Sequence, residues 1–441
     1  MAIAFAGVGA IGNLPAIDDW SYGGTAFRFH HTGIFAPSDF TGFTLVTNIL
    51  WSFPFLVLFG DNFQALRIST LVAALIAIAF TFLSMRQVGQ SRLNAALAAL
   101  TLAFCPLFFA RSFTFMTDVF FTALSIAAAL FFLRWFASAR KTDLAIAIMA
   151  SVFATLSRQL GLFLPLAFGL TLVLTRRPSA RVWALAALPL IAVMAGLFVN
   201  QFYLREFSRV PALYGSHYGE LTTVFSRLIR HWRDVVFNSF SLAFYLGLLT
   251  FPVVIAALPK PILRQREWPV AGLALVASIA FCLWTHHRQM RWLMPLISNG
   301  YENVSREGIG PFMLRDDYLL GLNHYGPISD GFWLPVTVLG IVGAVLIAVR
   351  IGRALAPVRI GSGLVREWRA DGLPVDPALV FLASGVVVYC APLVLFNYFD
   401  RYLLPMIVFV ALALSRMLPP PRGSATHRIF SPSWLPVPCL R

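Results

Sequence analysis

Long apolar segments recur along this chain as far as residue 418, and they constrain its fold more than any other feature. An α-helix needs about 17 to 25 apolar residues to cross the hydrocarbon core of a membrane. A cleaved signal peptide would account for only one such segment, at the N-terminus. We predict helices near residues 66–85, 94–110, 119–136, 144–157, 160–175, 182–200, 240–258, 269–285, 333–349, 377–395 and 402–418.

The composition excludes a soluble protein. Hydrophobic residues make up 59% of the chain and charged residues only 12%. The fold class is therefore an all-α polytopic membrane protein with about 11 to 13 transmembrane helices. The opening run, Met1–Leu14, is too short to span and is interpreted as a shortened first helix. The apolar stretch 42–60 contains Pro54 and is predicted to be an interfacial or re-entrant helix.

Basic residues concentrate on one side of the predicted helices. That side holds 20 of the 34 basic residues but only five of the 19 acidic ones, so it carries the whole net charge of +15. The positive-inside rule makes this side cytoplasmic, and the charge indicates topology, not nucleic-acid binding. The segments of this side are 86–92, 134–143, 175–181, 259–268, 350–376 and 416–441.

This orientation places the long loops outside the cytoplasm, which in a bacterium is the periplasmic side of the inner membrane. The loops are 15–65, 201–239 and 286–332, and the first is predicted to contain short amphipathic helices. Residues 1–418 form one transmembrane domain, and the Pro-rich segment 419–441 is predicted to be a disordered cytoplasmic tail. No nucleotide pool exists on the external side. An enzyme there must therefore use a substrate that is already activated when it crosses the membrane.

Asp18 and Asp19 are the first candidate functional residues. An adjacent carboxylate pair is costly near lipid and more often marks a site than an accident. The alternative is a solvated loop that happens to carry two aspartates. Tyr22 follows the pair, and His30 and His31 lie further along the same loop.

Three further ionisable residues fall at predicted outer helix ends, and each has a simpler interpretation. Asp118 could cap the helix that begins near Val119. Arg158 could snorkel towards the membrane surface, and Arg401 could pair only with Asp400. The His30–His31 and His286–His287 pairs are weak metal candidates, because adjacent histidines rarely share one ion in regular structure.

Five short motifs follow one another along the chain: the acidic pair with Tyr22, Gly60 with Arg67, Thr117-Asp118, Arg158 with Gly161, and Arg401 to Pro405. Their order resembles that in the GT-C membrane glycosyltransferases. The closest resemblance is to bacterial relatives of protein O-mannosyltransferase and lipid A aminoarabinose transferase, over about residues 10–418. This chain departs from the pattern in its shortened first helix and in having Arg158 where lysine is more frequent.

The resemblance implies transfer of a hexose or pentose from a polyprenyl-phosphate donor to a glycan, lipid or protein acceptor, with inversion. Asp18 is then the catalytic base and Asp19 its supporting carboxylate, while Arg158 and Arg401 bind the donor phosphate. The implied supporting or substrate-binding residues are Tyr22, Asp118, His30 and His286. No cofactor is certain; a divalent cation stays open, with Asp19 and Asp118 as candidate ligands.

Two other functions remain open at this point. A flippase or secondary transporter would also expose ionisable residues to a lipid-linked substrate, although such proteins place charges inside helices and often contain inverted repeats. The predicted helix interiors here are nearly free of charge. A non-catalytic scaffold of the cell envelope is the second alternative, and the acidic first loop argues against it.

Overall fold

The computed structural model describes residues 13, 15, 18–214, 229–256, 265–297, 304–306, 308–309, 328–355, 375–396 and 398–417. The predicted shortened first helix and the tail 419–441 lie outside the described residues, as do parts of the loops 201–239 and 286–332.

The described chain is almost entirely helical, as predicted. Each predicted span falls on helical residues, but the spans 94–110 and 240–258, predicted as single helices, are each divided between two helices. The helices are α1 (Asp19–Thr32), α2 (Val46–Phe59), α3 (Phe63–Gln87), α4 (Arg92–Ala103), α5 (Pro106–Ser112), α6 (Thr117–Ser138), α7 (Lys141–Ser157), α8 (Phe163–Thr175), α9 (Ala180–Phe207), α10 (Trp232–Leu249), α11 (Phe251–Ala256), α12 (Trp268–His287), α13 (Asp330–Leu355), α14 (Pro377–Leu395) and α15 (Leu404–Arg416).

Short 3-10 turns and one small hairpin complete the described elements. The turns are Gln159–Leu162, Gln265–Glu267 and Asp400–Leu403, and the hairpin pairs β1 (Val304–Ser305) antiparallel with β2 (Gly308–Ile309). Helices α9 and α10 extend into the predicted loop 201–239, so that loop is shorter than its sequence suggested.

Six helices in the described residues are long and apolar enough to cross a membrane by length and composition alone. They are α3, α6, α9, α12 with its preceding turn, α13 and α14. A seventh span results if α4 and α5 count as one, although they are bent by 63°. Pro106 begins α5, and a proline disfavours helical backbone at the residue before it, which explains the bend. The other predicted spans include shorter helices, such as the 13 residues of α15.

Helix α6 lies at the centre of the molecule. In its most apolar 18-residue window 83% of residues are buried, against 17% for α9, which has an apolar outer surface suited to lipid. Aromatic rings fill the space around α6; the rings of Phe132 and Phe168 stack with centroids 4.6 Å apart. Since α6 is enclosed by neighbours, an ionisable residue at its first turn is necessarily surrounded by other helix ends.

The first loop contains two helices, as predicted. Helix α1 buries Asp19, Tyr22 and Ala26 on one face, with the spacing of successive helical turns. It ends at Gly33, whose φ of +67° is a left-handed conformation that glycine adopts without strain. Helix α2 has 14 residues and includes Pro54, so it is too short to span at about 1.5 Å per residue.

Candidate active site

Several helix ends converge at the first turn of α6. Asp118 belongs to that turn, while Arg158 occupies the junction between α7 and the 3-10 turn before α8. Arg401 lies in the 3-10 turn that leads into α15, and Asp18 immediately precedes α1. The structure thus brings together four residues that the sequence analysis selected from distant parts of the chain.

Asp118 is the centre of this ionic cluster. Its Oδ1 accepts a hydrogen bond from Nη1 of Arg158, and its Oδ2 lies 3.7 Å from Nε of Arg401. Nη2 of Arg401 also lies 3.9 Å from Oδ2 of Asp18. Arg158, Arg401 and Asp118 are all buried, with side chains no more than 3% exposed. One carboxylate therefore orients two guanidinium groups, and one of these reaches Asp18.

The structure decides against the simpler interpretation of each residue. Asp118 is not the helix cap, because α6 begins one residue earlier, at Thr117. Arg158 does not snorkel, because its side chain is 1% exposed and pairs with Asp118. The carboxylate of Asp400 accepts from the backbone N–H groups of Arg401 and Val304, at 2.7 and 2.9 Å. Asp400 thus orders the backbone around Arg401, while the Arg401 guanidinium extends to Asp118 and Asp18.

The two adjacent aspartates have different environments. Asp18 has a side chain that is 46% exposed, whereas Asp19 is completely buried. The negative charge of Asp19 acts on the guanidinium groups of Arg67 and Arg111. Of the pair, Asp18 is the carboxylate that an external molecule can reach.

Aromatic rings fix the arginines in place. The guanidinium carbon of Arg158 lies 4.2 Å from the ring centroids of both Phe43 and Tyr402. That of Arg401 lies 4.4 Å from the ring of Phe399. A cation over an aromatic face is stabilised without consuming the N–H donors at its edge. The rings therefore hold the two guanidinium groups by their faces and leave the N–H donors at the guanidinium edges available for hydrogen bonds.

Gly161 explains the close approach of backbone at the Arg158 junction. A Cβ atom at this position would lie 2.6 Å from the backbone nitrogen of Thr155, so a larger residue would displace the turn. The glycine that accompanies the basic residue in the sequence motif is thus a requirement of local packing.

Sequence reasoning missed Arg111, which the structure buries completely in the last turn of α5. Its charge neighbours are Arg401, Asp118, Asp400 and Asp19. Among the described residues, Nε, Nη1 and Nη2 of Arg111 have no hydrogen-bond partner, and neither do Nε and Nη2 of Arg158. An arginine seven residues before Asp118, inside an otherwise apolar segment, is the sequence pattern that indicates it.

Electrostatics also restrict the protonation states at this site. Burial, followed by the charge of Asp18, raises the pKa of Tyr22 above its ordinary value, so Tyr22 stays a neutral phenol. Burial is the largest single influence and lowers the pKa of Arg401, but the neighbouring groups that raise it, Asp118 first and then Tyr402 and Asp18, together outweigh burial, and the pKa is raised. Arg401 therefore remains a cation at every accessible pH.

The remaining predicted residues lie apart from these contacts. His286 is exposed near the end of α12, where its ring centroid is 6.1 Å from that of Trp292. His30 lies in the last turn of α1 and contacts Asp61. Asp118 contacts Arg158 and Arg401. Among the described residues, one group of three side chains could hold a metal ion, and it contains neither Asp19 nor Asp118.

Comparison with known proteins gives one family match. Residues 48–200 match the model of the dolichyl-phosphate-mannose-protein mannosyltransferase family. This match covers α3 to α8 and includes Asp118 and Arg158, and it supports the resemblance to the GT-C membrane glycosyltransferases. No curated protein matches the chain.

Two solved structures are similar to the chain, both of ArnT from Cupriavidus metallidurans. The form bound to undecaprenyl phosphate has 15% identity and a TM-score of 0.41, and the match covers 94% of this chain and 76% of that one. The apo form has 15% identity and a TM-score of 0.39, with 94% and 75% covered.

Proposed function

From the resemblance to the GT-C membrane glycosyltransferases, we propose that this protein transfers a sugar from a polyprenyl-phosphate donor to an acceptor outside the cytoplasm. One observation carries the proposal. Three buried nitrogens of Arg111 and two of Arg158 have no hydrogen-bond partner among the described residues. Each unsatisfied buried donor costs about 1–3 kcal/mol, which is unfavourable unless a ligand supplies the acceptors.

A phosphate is the ligand that matches this arrangement. Guanidinium groups bind phosphate oxygens through parallel N–H donors, and such charge-assisted hydrogen bonds are about twice as strong as neutral ones. Asp118 orients Arg158 and Arg401 in advance, so little reorganisation is needed when the anion arrives. The matched family acts on a sugar carried by dolichyl phosphate, which has the same chemical class of leaving group.

Asp18 is the proposed general base. Its exposed carboxylate takes the proton of an acceptor hydroxyl as the hydroxyl oxygen forms a bond to the anomeric carbon. The bond from that carbon to the phosphate oxygen breaks, and the polyprenyl phosphate leaves with the electron pair and the negative charge. Arg158 and Arg401, with Arg111, stabilise that charge. A single displacement of this kind inverts the anomeric configuration.

The other selected residues support the reaction without direct contact with the reacting atoms. Asp19 is completely buried and balances the charge of Arg67 and Arg111. Tyr22 is a neutral phenol that can donate but not act as a base. Because arginines already neutralise Asp118, the proposed phosphate site does not require a divalent cation.

We place the site on the periplasmic face of a bacterial inner membrane. The proposal rests on the charge distribution of the sequence, since the basic segments such as 134–143 and 175–181 lie at the helix ends opposite the site. The donor would then reach the site after its sugar-phosphate head has crossed the membrane.

Phosphate recognition is tested with undecaprenyl phosphate and undecaprenol, which differ only in the phosphate. Purified protein is titrated with each lipid in detergent, and binding is measured by native mass spectrometry. We expect binding of the phosphorylated lipid only, weakened in Arg111→Gln and retained in the control Arg353→Gln, at the opposite end of the helices. Equal binding of both lipids would contradict the phosphate site.

Transfer itself is tested in cells that lack the protein. Extracted lipid-linked sugars should accumulate one donor, which identifies the sugar, and wild type but not Asp18→Asn should restore the normal level. A flippase would give a different result. Cells that lack it would accumulate the donor on the cytoplasmic face, and the Asp18→Asn variant would still restore the normal donor level.

A further inference from the structure

A second cluster of ionisable side chains lies at the other end of α1 from the candidate active site. Nδ1 of His30 is 2.8 Å from Oδ1 of Asp61, and Nε2 of His31 contacts Oδ2 of the same carboxylate. One potential ligand atom from each of the three residues lies within 4.8 Å of the other two. The cluster joins the last turn of α1 to the loop between α2 and α3.

The local backbone allows two adjacent histidines to point to one place. Consecutive residues of a helix are rotated by about 100°, so their side chains diverge. Here the helix ends at Gly33, and the two rings use different nitrogens, Nδ1 of His30 and Nε2 of His31. The difference in reach between these atoms compensates for the rotation. The objection from sequence to a shared ion therefore does not hold at this helix end.

Packing also orients the first of these rings. The ring of His30 stands edge-on to Phe53 of α2, with centroids 5.7 Å apart. Three consecutive segments of the first loop, α1, α2 and the turn before α3, thus determine the position of the donor atoms. The cluster stays open to an ion from outside, since the Asp61 side chain is 23% exposed and that of His31 is 68% exposed.

We propose that His30, His31 and Asp61 bind one zinc ion or a divalent cation of similar preference. Two imidazoles and one carboxylate are a ligand set that zinc accepts in proteins, with water in the fourth position. From Asp19 to His30 α1 rises about 17 Å, so the ion takes no part in sugar transfer. The bound ion crosslinks the end of α1, the helix that positions Asp18, to the start of α3.

The test measures metal content of the full chain, purified in detergent through a tag without histidine. After treatment with a chelator and addition of Zn²⁺, we expect about one ion per chain in the wild type by mass spectrometry of the metal. His31→Ala and Asp61→Asn should weaken binding at least about a hundredfold, because even residues that only hydrogen-bond to a metal ligand contribute about 10- to 100-fold. The matched control is His287→Ala, which alters the other adjacent pair of histidines, exposed at the end of α12.

A second readout separates metal binding from simple hydrogen bonds between the histidines and Asp61. Zn²⁺ should raise the melting temperature of the wild type and of His287→Ala, but not that of Asp61→Asn. Co²⁺ bound to the wild type should show the visible absorption of a low-coordinate site, a measurement that does not depend on any variant folding. The proposal is overturned if wild type and Asp61→Asn bind equal Zn²⁺, or if Co²⁺ gives no such absorption.

Discussion

The ion pairs at the two ends of the helices differ in how each carboxylate is matched to arginines. At the α6 N-terminal end, Asp118 is shared between Arg158 and Arg401, and all three side chains are buried. At the opposite end each carboxylate has its own arginine, and the arginines are partly exposed. These pairs are Glu267–Arg353, Asp376–Arg416 and Asp143–Arg134.

In the pairs at the opposite end, the arginine and its carboxylate satisfy each other. Glu267 accepts hydrogen bonds from Nε and Nη2 of Arg353, so the two planar groups meet edge to edge. Fully exposed pairs contribute about 0–1 kcal/mol; this pair is bidentate and its carboxylate is buried, so it contributes to stability without needing a further ligand. At the first end, by contrast, buried guanidinium nitrogens of Arg111 and Arg158 remain without partners among the described residues. Burying ions costs several kcal/mol each, so this arrangement is unfavourable for stability alone and suits a bound anion.

The largest expected effect concerns which end faces outward. A reporter that is active only outside the cytoplasm should be active when fused after Asp234 or Asp330, near the ends of α10 and α13 on the site side. It should be silent after Lys141 or Arg266, at the opposite end. Measured activities in intact cells decide this, and the reverse pattern would contradict the external location of the site.

The next effect concerns the proposed base. Asp18→Asn should lower the transfer rate by about 10² to 10⁴, because loss of a general base removes proton abstraction from the acceptor. The measurement is sugar transfer by purified enzyme under donor saturation, with melting temperature as a check on folding.

Asp19→Asn is the matched comparison for this variant. Asp19 is buried and balances arginine charges, so its loss should reduce stability more than the rate per folded molecule. Wild-type rates in both variants would show that neither carboxylate takes part in transfer.

The third effect concerns donor binding. Arg158→Ala should weaken binding of undecaprenyl phosphate about 10- to 100-fold, because a hydrogen bond to a charged group contributes roughly 1.5–3 kcal/mol. Arg158→Lys should retain more affinity than the alanine variant, since the charge remains while the forked donor is lost. Equal loss in both variants would indicate that geometry, not charge, dominates.

The smallest effect on transfer is expected at the opposite end. Arg353→Gln should leave the transfer rate unchanged and lower the free energy of unfolding by about 1–3 kcal/mol, because the buried carboxylate of Glu267 loses hydrogen bonds from a charged partner. Thermal denaturation in detergent measures this change. A large loss of transfer in this variant would mean that the two ends are coupled and that the comparison between them fails.

Much of the fold followed from local sequence. Hydropathy predicted the helices from 66–85 to 402–418, and the break at Ser157-Arg158-Gln159 separated α7 from α8 as expected. The bend at Pro106 was not predicted, because the apolar span 94–110 predicts one helix that continues through that proline. The same reading selected Asp18, Asp118, Arg158 and Arg401, because a charge is costly in an apolar chain and therefore conspicuous.

Only the tertiary structure decided how these residues are paired. Asp18 and Asp19 are neighbours in sequence, yet one is exposed and the other buried, because α1 packs one face against the helix ends. The burial of Arg111 and the contact of His31 with Asp61 arise from segments that meet only after folding. Helix formation depends on hydrogen bonds within a few residues, so sequence alone determines it; pairing depends on packing between distant helices, which no local pattern encodes.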